Sequence, residues 1–105
     1  MLITSSETVA GFEIAETLGL VTANSVRARH IGRDILAGMK NVFGGEVGAY
    51  RELLNESRAE ALQRLEEQAA ALGADAVVAL RLATADVMQG VAEILAYGTA
   101  VKLRK

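Results

Sequence analysis

Between Val47 and Leu72 the chain carries one long amphipathic run, and any fold it adopts must be built around that run. Tyr50, Leu53, Leu54, Ala61, Leu65 and Leu72 share one helical face, with Ser57, Gln68 and Ala69 beside them. Glu52, Glu56, Glu60 and Glu67 line the opposite side. Gly73 then acts as a stop signal, because a left-handed residue after a helix carries no Cβ penalty when it is Gly. The pattern predicts a long helix whose apolar face needs a partner surface.

Strands supply that surface. From Phe12 to Thr22 the sequence alternates, with Phe12, Ile14, Leu18 and Leu20 on one side and Glu13, Ala15, Thr17 and Gly19 on the other. A short strand around Leu2 to Thr4 precedes it. In "ANSVRARHIGRDILAGMKNVFGG" the period changes: Ile31, Ile35, Met39 and Val42 recur at helical spacing, widened by Leu36 and Phe43. This predicts a first helix of about three turns starting at Asn24 or Ser25. Gly32 and Gly38 weaken it by about 1 kcal/mol each against Ala. "ADAVVALRLATADV" reads as a strand with Ala76, Val78, Leu80 and Leu82 facing inward, and "GVAEILAYGTAVKLR" as a long closing strand. "ADVMQG" between them has turn character, with Gly90 at a positive dihedral. The order strand, helix, helix, strand, strand predicts an α+β domain, a small antiparallel sheet covered on one face by two helices.

The closing strand adds a second constraint. Val91, Leu95, Tyr97, Val101 and Leu103 lie on one face, and Ala92, Ala96, Gly98 and Ala100 on the other, so neither is polar as a solvated face should be. At 105 residues the chain is a single domain over 1–105, and a domain of that size buries roughly 60 to 70% of the surface its unfolded chain exposes. Covering both faces from its own chain is beyond it, so the pattern predicts homo-oligomerisation. With 51% hydrophobic but only 4% aromatic residues, core and interface should be rich in Ala, Val, Leu and Ile.

Charge and composition remove several function classes. Eleven basic against thirteen acidic residues leave a net charge of −2, so no general field draws nucleic acid or acidic lipid. Cysteine is absent, which removes disulfides, thiolate catalysis, iron–sulfur clusters and the common structural zinc sites. "MLITSSETVAGFE" lacks the basic start and apolar core of a secretory signal, and "AVVAL" is far short of the ~20 residues that span a bilayer. A cytoplasmic protein without a membrane anchor is the expectation.

The segments "HIGRDILAG", "GGEVGAY", "SRAEALQRLEEQAAALGADAVVALR" and the closing "GTAV" together resemble the YbjQ family over nearly the whole chain. The resemblance implies a cytoplasmic bacterial or archaeal protein assembling into a ring-shaped homopentamer. It implies no established activity, and the heavy-metal label attached to that family is a conjecture about its fold.

Candidate sites are few. His30 and Asp34, four apart on the expected first helix, would face the same way and could share an ion. Two ligands are too few unless neighbouring subunits complete the set, and soft metals favour sulfur donors that this chain scarcely offers. Arg27, Arg29, Arg33 and Lys40 form a basic group suited to a small anion; nucleic acid is not expected, since interleaved aromatics are missing. Arg58 falls on the margin of the long helix's apolar face, about 80° from Tyr50, where Asp75, a neighbour's Glu46 or strand carbonyls would satisfy it, as an interface ion pair rather than a ligand contact. Gly44 and Gly45 read as a tight turn between helices rather than a phosphate loop, which would need Lys and Ser or Thr after the last Gly. Glu46 then complements the positive end of the helix dipole. No catalytic set is recognisable: a triad would need His30 with Ser25 or Ser57, and nothing in the spacing joins them. A composite site at subunit boundaries would draw on Arg33, Glu46, Tyr50, Arg58 and Asp75. The expectation is a non-enzymatic ring-forming homo-oligomer without an identified cofactor, binding a small ligand or metal ion where subunits meet. The alternative is a structural module presenting a multivalent surface to another protein.

Overall fold

The computed structural model describes residues 1–28, 45–88 and 91–105. Its elements are β1 (Leu2–Ile3), β2 (Glu13–Ala28), α1 (Gly45–Ala71), β3 (Ala76–Met88) and β4 (Val91–Arg104). They form one four-stranded sheet in the order β1-β3-β4-β2. β4 runs antiparallel to both neighbours, whereas β1 pairs parallel with β3. The sheet is therefore mixed rather than antiparallel, because the chain passes through β2 and α1 before β3 returns alongside β1.

The long helix forms where its periodicity places it. Neither Gly nor Pro interrupts Ala49 to Leu72, and Glu60 and Arg64 form an i, i+4 ion pair in the favourable orientation. Gly73, at φ 81°, ends α1. Its N–H donates to the Ala70 carbonyl, and the Ala74 N–H reaches back to Ala69, so two end carbonyls that the helix leaves unpaired are satisfied. The buried row is Leu53, Ser57, Ala61, Leu65 and Ala69, each four residues on from the last. Leu72, expected on that face, is instead exposed, since it stands beyond the helix end. Opposite the row lie Val21, Ala23, Ile94, Ala96 and Ala100, so the core is built from small aliphatic residues as the composition predicts. Gly98 shows how close the packing is: a Cβ there would lie 2.7 Å from Val77 Cγ1 and 3.1 Å from the Val78 carbonyl oxygen.

Described residues contain one helix. The first helix expected after Asn24 or Ser25 cannot begin there, because β2 continues through Ala28 in unbroken register with β4, from Gly19 opposite Ala100 to Ala28 opposite Val91. That ladder satisfies backbone groups that local propensity alone would have given to a helix. The remainder of the expected helix, with Ile31, Ile35, Met39 and Val42, lies outside the described residues. The turn expected over 85–90 is likewise shorter, since β3 stays paired as far as Met88 opposite Val91. Gly90 itself falls outside the described residues.

Bulges change which residues face inward. In β2 the register slips between Thr17 and Gly19, and Gly19 takes φ 129°. Leu18 thus packs on the same core as Val21 and Ala23, while Leu20 turns outward at 69% exposure. In β3 the slip falls between Val78 and Arg81, with Ala79 at φ 55°. Val77 and Leu80 therefore join the helix-side core, whereas Ala76 and Val78 form a second cluster with Val101, packed by Val9 and Leu103. The expected inward set Ala76, Val78, Leu80 and Leu82 is thus split between the two faces, and Leu82 is exposed.

The molecule measures 55 × 22 × 16 Å, with a radius of gyration of 17.2 Å. A compact domain of this length would be near 13 Å. The excess length is an arm formed by the far halves of β2, β3 and β4.

Candidate functional site

Where β2 ends, its core-facing side chains meet α1 in a polar seam. Ser25, fully buried, donates its hydroxyl proton to Glu60 Oε1 at 2.6 Å. Arg27, two residues on and on the same face, donates from Nη1 to Glu56 Oε2 at 3.3 Å and from Nη2 to Glu60 Oε2 at 3.0 Å. Arg64 approaches the other Glu60 oxygen at 3.5 Å and donates to the Asn24 carbonyl at 2.8 Å. On the far face of the same strand, Asn24 donates from Nδ2 to Glu93 Oε2. The Ser25 hydrogen bond lowers the Glu60 pKa against the opposing pull of burial, and Arg27 and Arg64 lower it further. The seam ties strand to helix with two carboxylates, two guanidinium groups and a buried hydroxyl.

The sequence holds its elements without announcing the group. Glu56, Glu60 and Arg64 stand at i, i+4 spacing, and Ser25 and Arg27 alternate on one strand face. Recognising them as partners requires β2 to reach Ala28, which the expected helix start at Asn24 or Ser25 obscures.

Among the described residues, the expected site residues do not converge. His30, Arg33 and Asp34 lie outside the described residues. Glu46 and Tyr50 are in the first two turns of α1, while Asp75 follows its C-terminal end; a helix rising ~1.5 Å per residue separates them by roughly 35 to 40 Å. The Asp75 carboxylate accepts from the Leu103 N–H at 2.8 Å, while its own N–H donates to the Val101 carbonyl. It is a brace between helix end and β4. Arg58 is exposed and donates to Asn55 Oδ1 at 2.8 Å, one turn back on its own helix, rather than to Asp75. Gly45 opens α1, as expected of the second glycine of the pair.

The other feature of note is an uncovered surface. Leu20, Thr22, Asn24 and Val26 of β2, with Leu95 and Tyr97 of β4, share the face of the arm opposite α1. Leu20 and Val26 are 69% and 54% exposed, and Leu95 and Tyr97 are exposed beside them. Among the described residues, no strand pairs with the outer edge of β2, nor with the edge of β3 that faces away from β4 beyond Leu80. The described residues hold no group of three His, Cys, Asp or Glu side chains able to bind a metal ion, and no helix among them is long and apolar enough to cross a membrane.

One long helix on a mixed four-stranded sheet places the molecule in the α+β class. More particularly, the chain belongs to the YbjQ family, whose family model, described as "Putative heavy-metal-binding", matches residues 1–104. It is 56% identical to a UPF0145 protein of Archaeoglobus fulgidus over 99% of this chain and 96% of that one. It is 54% identical to a UPF0145 protein of Hahella chejuensis over 96% and 97% of the two chains. Relatives thus occur in both archaea and bacteria. A solved protein of unknown function from Pediococcus pentosaceus, assigned to the DUF74 family, shares the fold at TM-score 0.64 and 24% identity, covering 99% of this chain and 98% of that one.

Proposed function

We propose that this protein acts as a non-enzymatic ring-shaped homo-oligomer, five-membered on the family resemblance, that binds a small ligand or ion where its subunits meet. The observation that carries the reading is the arm: an apolar face left bare by the described residues, flanked by two strand edges unpaired among them. Those edges belong to different strands, so one copy's edge can pair with the other edge of the next copy head-to-tail, and head-to-tail contacts close into rings when the rotation permits. Composite sites at such boundaries would draw on Arg33, Glu46, Tyr50, Arg58 and Asp75.

The heavy-metal description of the family finds little chemistry in the described residues. The whole chain has no Cys, one His and three Met, against the sulfur ligands soft metals prefer. His30 and Asp34, repeated around a ring, remain the candidate ligands. Native mass spectrometry before and after chelator dialysis tests both parts together. A ring with a chelator-sensitive adduct supports the proposal, a ring with a chelator-resistant small adduct replaces the metal with an organic ligand, and a monomer overturns the assembly. A clean ring would move the reading to a multivalent interaction module, for which the same bare face would serve a protein partner in the cytoplasm.

A further inference from the structure

Among the described residues, two buried side-chain atoms in the seam have no hydrogen-bond partner: Ser57 Oγ and Arg27 Nε. Ser57 is fully buried on the sheet-facing row of α1. Arg27 engages Glu56 and Glu60 through its two terminal nitrogens, and these residues bracket Ser57 on the helix, so its guanidinium lies against the turn that carries the serine. Helical serines often bond the carbonyl four residues back, here Leu53, but Ser57 does not. Buried donors and acceptors in native proteins are satisfied by protein or by ordered water.

We propose that the seam between β2 and α1 binds one internal water molecule, which accepts a hydrogen bond from Arg27 Nε–H and is bonded to the Ser57 hydroxyl. Charge selects this ligand. Glu56 and Glu60 repel an anion, and the guanidinium repels a cation, so the occupant is neutral, small and able both to donate and to accept. Water needs two or more polar partners to be held in an interior, and the seam supplies them. The bound molecule fixes Arg27 across Glu56 and Glu60 and joins the end of β2 to the helix. This site is independent of the assembly reading, because every residue in it comes from one chain.

The test uses the whole protein. Oxygen-17 magnetic relaxation dispersion counts long-lived internal waters, and Ser57→Val, which fills the position with methyl groups, is expected to carry one fewer per chain than the parent. An unchanged count overturns the proposal. A high-resolution crystal structure of the parent decides independently should the variant fold poorly. Density for a water within hydrogen-bond distance of both atoms upholds the site. Ser57 Oγ on the Leu53 carbonyl, with Arg27 Nε on a protein acceptor, excludes it.

Discussion

Where β1 flanks β3, the sheet is covered on both faces: Val77 and Ala100 lie beneath α1, while Ala76, Val78 and Val101 lie beneath Val9, with Leu103 of β4 packed beside them. Past Ala79 the same strands run on with α1 over β2 and β4 only, and the opposite face carries Leu20, Val26, Leu95 and Tyr97 in the open. The two halves have similar strand chemistry. What separates them is the short N-terminal segment, which closes one end and does not reach the other. A closed half draws its stability from packing within the chain, whereas the open half has apolar surface still to bury, so substitutions should act on different observables in the two regions.

The largest effect is expected in the closed half. Leu65→Ala empties a fully buried position beneath the sheet and should lower unfolding free energy by about 2–5 kcal/mol in urea titration. A loss under about 1 kcal/mol would mean that the helix–sheet core is looser than its burial implies. Gly98→Ala comes next, since its new Cβ meets Val77 and the Val78 backbone. Overpacking of this kind costs about 1–3 kcal/mol, readable as a lower melting temperature.

The seam joins the two regions and should respond to acid. Glu60 holds its proton less tightly in the folded chain than in the unfolded one. Its contribution is therefore complete above the unfolded carboxylate range and is lost as pH falls through the lowered folded value. Ser25→Ala, which removes the largest cause of that shift, should flatten the acid limb of a melting temperature against pH profile while leaving the limb above neutrality parallel to the parent. An identical acid limb would show that the seam is not what titrates.

In the open half the expected effect on the fold is the smallest. Leu20→Ser lies on exposed surface and should change chain stability by no more than about 0.5 kcal/mol. Under the assembly proposal it should nevertheless shift native mass spectra toward smaller species. If Leu20→Ser and Val26→Ser together leave assembly unchanged, the bare face is not the contact surface. Such a result would confine the contact to strand edges.

Much of this was legible in the sequence, and the failures share a cause. The long helix was predicted to within two residues at either end, because its period and Gly73 are local signals. Family membership was likewise legible from short motifs. Strand phase was not: Leu20 was expected inward and lies outward, because a bulge at Gly19 transfers every later residue of β2 to the opposite face. The end of β2 was missed for a related reason. Asn24 and Ser25 resemble a helix start, and only pairing with β4 makes them strand. Of the candidate site residues, Asp75 and Arg58 have partners within the chain other than those expected, while Ser25 and Glu60 escaped notice because neither is informative until the other is beside it.

By itself, then, the sequence determined the elements whose signals are local: the 3.6-residue period of α1, its glycine stop, and a small-aliphatic core demanded by a composition with few aromatics. Tertiary structure alone decided the mixed sheet, the bulges at Gly19 and Ala79 and the seam of Ser25, Arg27, Glu56, Glu60 and Arg64. These depend on which backbone lies alongside which, and a strand's register is set by its partner's hydrogen bonds rather than by its own residues.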